Sequence, residues 1–217
     1  MSDDDDSMVI KVVLIGESGV GKTSIITRYI NNQFDKDCPS NVAASFISKQ
    51  IYVKEYKKKV KLDIWDTAGQ EKYRSMAKIF YKDAAIVILV YDITKVKTFD
   101  EIKNYWYDQV KNKGEEVAVF GLAANKCDLY EREQVTETDA KRYANKIGAI
   151  FKQTSALSSD GIDDLFYHCA QKVINPKYDY NAQETQAKMT YEHNQNQTKK
   201  GTKLSATQPV QKKDCNC

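Results

Sequence analysis

A glycine-rich octapeptide, Gly16-Glu17-Ser18-Gly19-Val20-Gly21-Lys22-Thr23, constrains the fold more than any other stretch of this chain. It stands between a short β-branched run, residues 9–15, and an amphipathic stretch, residues 22–32. A strand that turns through glycines straight into a helix is one unit of an α/β sheet, with the turn at the strand's carboxyl end. Glycines let successive backbone N–H groups curl around phosphates, and the helix N-terminus adds positive potential. Lys22 would reach the outer phosphates and the Thr23 hydroxyl would ligate Mg²⁺. Gly16, Ser18, Gly19, Val20, Gly21 and Ser24 would complete that half of a nucleotide site. The bland alternative is a glycine-rich turn that holds nothing.

The rest of the chain repeats the strand-then-helix rhythm. Strands are expected at 9–15, 45–53, 60–65, 84–91, 117–124 and 150–153. Residues 85–90 and 117–122 are apolar nearly throughout, as in strands covered on both faces. The polar turn Glu55-Tyr56-Lys57-Lys58-Lys59 joins the second and third strands as an antiparallel hairpin at one edge. Helices are expected at 22–32, from a capping box at Thr98 and Glu101 to about 113, at 136–147 before Gly148, and at 162–174 before Pro176. The pattern predicts an α/β fold: a doubly wound, mainly parallel six-stranded sheet with helices on both faces. Ligands then belong at the carboxyl ends of the strands.

Composition sets the limits. The 217 residues suit one domain with a tail, and 33 basic against 30 acidic side chains leave a net charge of +3, which gives no reason to expect a nucleic-acid partner. Five cysteines without paired spacing argue against a disulfide framework. No apolar run approaches the ~18 residues of a membrane span, and no secretory signal is evident. The expected organisation is an acidic disordered leader at 1–7, a nucleotide-binding domain at 8–176, and a disordered polar tail at 177–217. That tail carries seven lysines against four carboxylates.

Two further segments turn a phosphate site into a guanine-nucleotide site. Asp66-Thr67-Ala68-Gly69-Gln70 follows the third strand. Asp66 could hold Mg²⁺ directly or through water, or merely cap a helix. The Gly69 N–H could meet the γ-phosphate, and Gln70 could orient an attacking water. Asn125-Lys126-Cys127-Asp128 follows the fifth strand. An ionised Asp128 accepts from both N1–H and the exocyclic amine of guanine, a donor pair adenine lacks. Asn125 would brace the pocket, and the Lys126 stem would cover one face of the base. Ser155 and the Ala156 N–H would complete the O6 side.

Around these motifs the sequence resembles the Rab GTPases of the Ras superfamily, over about residues 8–175 and at the terminus. The resemblance rests on Lys61–Tyr73, on Tyr73-Arg74-Ser75-Met76-Ala77 continuing into Phe80–Ala84, on Leu89–Thr94 and on Asn104-Tyr105-Trp106-Tyr107. It implies a membrane-anchored GTP/GDP switch that recruits effectors in vesicle trafficking, with Lys22 and Gln70 as catalytic groups and Mg²⁺ as cofactor. It further implies that Phe34 packs edge-on to the base, and that Phe46, Trp65 and Phe80 form the aromatic triad read by effectors. The closing Cys215-Asn216-Cys217 is similar to the ending on which Rabs receive two geranylgeranyl groups. Expected partners are a guanine-nucleotide exchange factor, a GTPase-activating protein, effectors, a GDP-dissociation inhibitor, the prenylation machinery and the cytosolic face of an endomembrane. The Ala43-Ala44-Ser45-Phe46 stretch resembles endocytic members.

Two positions depart from the family pattern. Asn41 stands where the switch threonine that binds Mg²⁺ and the γ-phosphate is expected, with Ala43 in place of the following glycine. Asn has an acceptor oxygen but no hydroxyl. Ser40, one place away, could slide to serve instead. Leu157 replaces the lysine that normally follows Thr154-Ser155-Ala156. The alternative reading is therefore a GTP-binding scaffold that hydrolyses slowly or not at all.

Overall fold

The computed structural model describes residues 8–35, 45–67, 81–112 and 117–183. Strand β1 (Met8–Ile15) leads into helix α1 (Lys22–Asn31). Strands β2 (Ser45–Val53) and β3 (Lys58–Asp66) pair antiparallel, joined through a turn in which Lys57 takes φ 50°. Then follow β4 (Ile86–Asp92), β5 (Val119–Asn125), helix α3 (Glu137–Ile147), β6 (Ile150–Thr154) and helix α4 (Ile162–Ile174). Helix α2 lies between β4 and β5 and runs from 96 to 112. Its middle turn, Ile102–Trp106, is a π-helix between the α-helical pieces Val96–Glu101 and Tyr107–Asn112.

The six strands form one sheet in the order β2-β3-β1-β4-β5-β6, parallel except for β2. Side chains alternate across a strand, so a strand covered on both faces must be apolar at every position. All seven residues of β4 are buried, apolar from Ile86 to Val90, and the strand ends on Tyr91 and the carboxylate of Asp92. Val13, Ile15, Val87, Leu89, Leu122 and Ala124 point to one face, where Phe99, Ile102, Trp106 and Val110 of α2 and Ala140 and Ala144 of α3 cover them. On the other face α1 and α4 meet through Tyr29 and Phe166, stacked with centroids 4.0 Å apart. Gly121 lies under α4, where a Cβ would stand 3.2 Å from the Cys169 sulfur.

Helix ends differ in how far local sequence sets them. Gly148 ends α3 at φ 68°, as expected, while Thr136, expected as its first residue, is its N-cap and accepts from the Asp139 N–H. The expected capping box at Thr98 is corrected: α2 starts at Val96, with Lys95 as its N-cap. The Thr98 hydroxyl instead accepts from the Asp92 N–H at 3.0 Å and donates to the Lys95 carbonyl at 2.7 Å. It braces the turn out of β4, so the Thr98/Glu101 spacing is coincidental.

Past α4, Tyr178 is buried, two residues beyond the Pro176 boundary expected from composition. Its hydroxyl meets His168 Nδ1 at 2.6 Å, and Lys172 donates to its carbonyl at 2.6 Å. The chain divides into two compact units after Tyr178. In the second, the Asp179 carboxylate accepts from the Ala182 N–H at 3.1 Å. Among the described residues, no helix is long and apolar enough to cross a membrane.

Candidate guanine-nucleotide site

Five parallel strands deliver their carboxyl ends to one edge of the sheet, and the candidate residues stand there in a row. β1 runs into the glycine loop at Gly16, β3 ends on Asp66, β4 on Asp92, β5 on Asn125 and β6 on Thr154. Register places Leu14 opposite Asp66, Asp92 opposite Asn125, and Asn125 opposite Thr154.

At two of its glycines the loop leaves no room for a side chain. Gly16 (φ 148°) passes so close to β4 that a Cβ would lie 2.2 Å from the Val90 carbonyl oxygen. Gly21 (φ 97°) caps α1, and a Cβ there would lie 2.4 Å from Asn125 Nδ2. Val20 is buried beneath the loop, while Ser18 and Gly19 face solvent. The first N–H groups of α1, those of Lys22, Thr23 and Ser24, precede the first intrahelical bond, Ile25 N–H to the Gly21 carbonyl.

Lys22 is only 5 % exposed, and its ammonium donates to the carbonyls of Gly16 and Glu17, each at 2.9 Å. Burial lowers its pKa to about 8, against the pull of the Asp66 and Glu17 charges. A desolvated cation at the start of a helix, held here by two loop carbonyls, suits an anion. Beside it the Thr23 hydroxyl donates to Asp66 Oδ2 at 2.7 Å, with Asp66 itself 1 % exposed. A hydroxyl and a carboxylate are hard oxygen donors, few in number, which fits Mg²⁺ shared with phosphate oxygens. Thr67 steadies this corner by donating to the Leu14 carbonyl at 2.6 Å.

The base end is tied together across long stretches of chain. Asn125 is buried, donates from Nδ2 to the Val20 carbonyl at 2.7 Å and accepts from the Thr154 hydroxyl at 3.2 Å. Lys126, at φ 65°, lays its ammonium between the Gly19 carbonyl (2.8 Å) and Asp92 Oδ2 (2.7 Å). Ser155 donates to Asp128 Oδ1 at 2.5 Å, holding the half-buried carboxylate in place. Ala156 is buried behind it, and Leu157 is exposed at the rim. Phe34, three residues past α1, is half-buried.

Sequence patterns missed the residues that fasten these loops. Asp92 holds Lys126, the Asp92 carboxyl being kept below the ordinary carboxylate range by the Lys126 and Thr94 hydrogen bonds, which outweigh its burial. Arg28 on α1 donates from Nε to the Ala156 carbonyl at 2.7 Å and from Nη2 to the Leu157 carbonyl at 3.0 Å. Those contacts span 128 and 129 residues, beyond any local signal. Asp92 stood inside the quoted Leu89–Thr94 stretch without being given a role.

Of the aromatic triad, Phe46 and Trp65 face each other across the β2–β3 pair, centroids 5.2 Å apart, with Phe46 half exposed. Phe80, Asn41, Gly69, Gln70, Cys215 and Cys217 lie outside the described residues.

Comparison with known proteins gives the family. The Ras family model matches residues 11–175. The human Ras-related protein Rab-22A is 41 % identical over 165 residues, covering 76 % of this chain and 83 % of the relative. The Ras-related protein RabJ of Dictyostelium discoideum is 40 % identical over 172 residues, 79 % of this chain and 66 % of the relative. The Ras-related protein Rab11A of Lotus japonicus is 40 % identical over 167 residues, 77 % and 73 % of the two chains. With the phosphate loop, the Thr23–Asp66 pair and the Asn125–Asp128 base loop all on one edge of a six-stranded α/β sheet, the chain belongs to the Ras family, as a Rab-type small GTPase.

Proposed function

We propose that this protein is a lipid-anchored GTP/GDP switch that recruits effectors to the cytosolic face of an endomembrane, with the endosome as its compartment. One observation carries the nucleotide half of that reading: Lys22, Thr23, Asp66, Asn125 and Asp128 converge on one sheet edge, tied loop to loop. Guanine is selected by the Asp128 carboxylate, pre-aimed by Ser155, while Asn125 and Lys126 fix the base loop to the phosphate loop. Phosphates lie in the N–H cradle of 16–24 with Lys22 as countercharge. Thr23 and Asp66 would hold Mg²⁺, which would supply charge neutralisation at the phosphates. Gln70 orients the attacking water.

The sequence has no arginine in residues 35–46, so a GTPase-activating protein provides one in trans, adding ~10³–10⁵ in rate. Intrinsic turnover is slow. An exchange factor reloads the switch, and a GDP-dissociation inhibitor carries the prenylated form through the cytosol. The anchor is two lipid chains on Cys215 and Cys217, since one chain alone gives marginal binding. Phe46 and Trp65, joined by Phe80, form the effector-reading patch.

The second reading, a GTP-bound scaffold with weak hydrolysis, is favoured by a specific residue, Asn41. Single-turnover hydrolysis with and without an activating protein separates the two, on the native chain and on Asn41→Thr. A native chain that hydrolyses at the Asn41→Thr rate supports the switch. A native chain at least tenfold slower, with Asn41→Thr restoring the rate, supports the scaffold. A Gln70→Leu variant with an unchanged intrinsic rate would remove Gln70 from the mechanism.

A further inference from the structure

Glu17 is out of place in a loop built for anions. It is the second residue of the glycine loop, its carbonyl receives the Lys22 ammonium at 2.9 Å, and its charge helps keep Lys22 protonated. A carboxylate swung into the cradle would repel a polyphosphate, because each anion disfavours the other's charged form at close range. The side chain is turned instead toward the helix-covered core. Its Oε1 accepts a hydrogen bond from the Trp106 indole N–H at 3.0 Å, across 89 residues.

Trp106 is almost fully buried in the cluster between α2 and the sheet. An indole N–H is a donor only, so burial obliges it to find an acceptor. Trp106 also closes the π-turn Ile102–Trp106, in which the Tyr107 N–H reaches back five residues to the Ile102 carbonyl. Single π-turns are rare and concentrate at functional positions. Nothing in the nucleotide site already described uses this one.

We propose that Trp106 is a positioning residue for the nucleotide: its indole N–H holds the Glu17 carboxylate on the α2 side of the loop, turned away from the phosphates. The inference rests on reading residues 16–23 as the phosphate site. It makes α2 a lever on the phosphate loop, because any shift of the π-turn frees or restrains a negative charge beside the nucleotide.

The test follows the release of a fluorescent GDP analogue, in excess Mg²⁺, from the native chain and from Trp106→Phe, which keeps an aromatic ring but loses the donor. Release should be roughly tenfold faster in Trp106→Phe, the scale set by losing a hydrogen bond to a charged group. The gap should narrow as salt rises from ~0.05 M to ~1 M, where screening shortens to about 3 Å. Trp106→Phe combined with Glu17→Gln should return to within about twofold of native release, because the carboxylate's charge is gone. Trp106→Leu, with and without Glu17→Gln, repeats the comparison without an aromatic ring, and thermal melting confirms that each variant is folded. Native-like release from the folded Trp106 variants would overturn the proposal. So would fast release that Glu17→Gln fails to rescue, which assigns Trp106 to packing alone. A native chain that retains no guanine nucleotide would instead overturn the phosphate-site reading itself.

Discussion

The base end and the metal end of the pocket are held in different ways. Around the base, Asn125, Lys126, Asp128, Ser155 and Arg28 bind one another's loops through side-chain bonds between 2.5 and 3.0 Å. Around the metal, the described link is the Thr23–Asp66 bond, with Thr67 behind it. Bonds that fasten a loop from outside reduce the ordering a ligand must impose on it. The remaining members proposed for the metal end, Asn41, Gly69 and Gln70, lie outside the described residues. On the proposed reading, base choice belongs to the cross-tied end. On the same reading, the distinction between GTP and GDP belongs to the end proposed to hold Mg²⁺ and the last phosphate.

Breaking the base end should have the largest effect. Asp128→Asn replaces an acceptor pair with a mixed acceptor and donor, so GTP affinity should fall by ~10³–10⁴ while xanthine nucleotides gain. Competition for a fluorescent guanine nucleotide measures both, and full GTP affinity in the variant would remove Asp128 from base recognition.

Thr23→Ala breaks the metal end. It should weaken Mg²⁺ by at least the ~10–100-fold that outer-sphere changes cost, and a Mg²⁺ titration of nucleotide release reads it directly. Chelation should speed release strongly in the native chain and only slightly in the variant. Equal responses to chelation would show that the Thr23 hydroxyl is not a ligand.

Arg28→Leu sharpens the comparison by loosening the base end from outside. Losing the donors to the Ala156 and Leu157 carbonyls should weaken GTP by roughly tenfold. The midpoint of the Mg²⁺ titration should stay where it is, because the Arg28 contacts among the described residues run to Asn32, Ala156 and Leu157. A shifted midpoint with unchanged affinity would reverse the assignment.

The two ends were also unequally legible in the sequence. Apolar runs placed all six strands, and glycines placed the phosphate loop, because both signals are local consequences of burial and backbone freedom. Thr136 and Gly148 marked the ends of α3 for the same reason. Thr98 misled because a capping box looks identical whether or not its threonine is needed elsewhere, here by the turn after Asp92. Arg28, Asp92 and the Glu17–Trp106 bond were invisible as site features, since each acts on a loop far away in sequence and carries no periodic signature. The π-turn at Ile102–Trp106 also left no trace in composition.

Nucleotide selectivity of the native chain tests the central claim most directly. With a fluorescent GDP analogue bound in Mg²⁺, unlabelled GTP and GDP should displace it, while ATP should require at least ~10³-fold higher concentration, as expected when a buried carboxylate would be left unpaired against adenine. Displacement by ATP at concentrations comparable to GTP would contradict the account, because Asp128 and Ser155 would then not be reading the base.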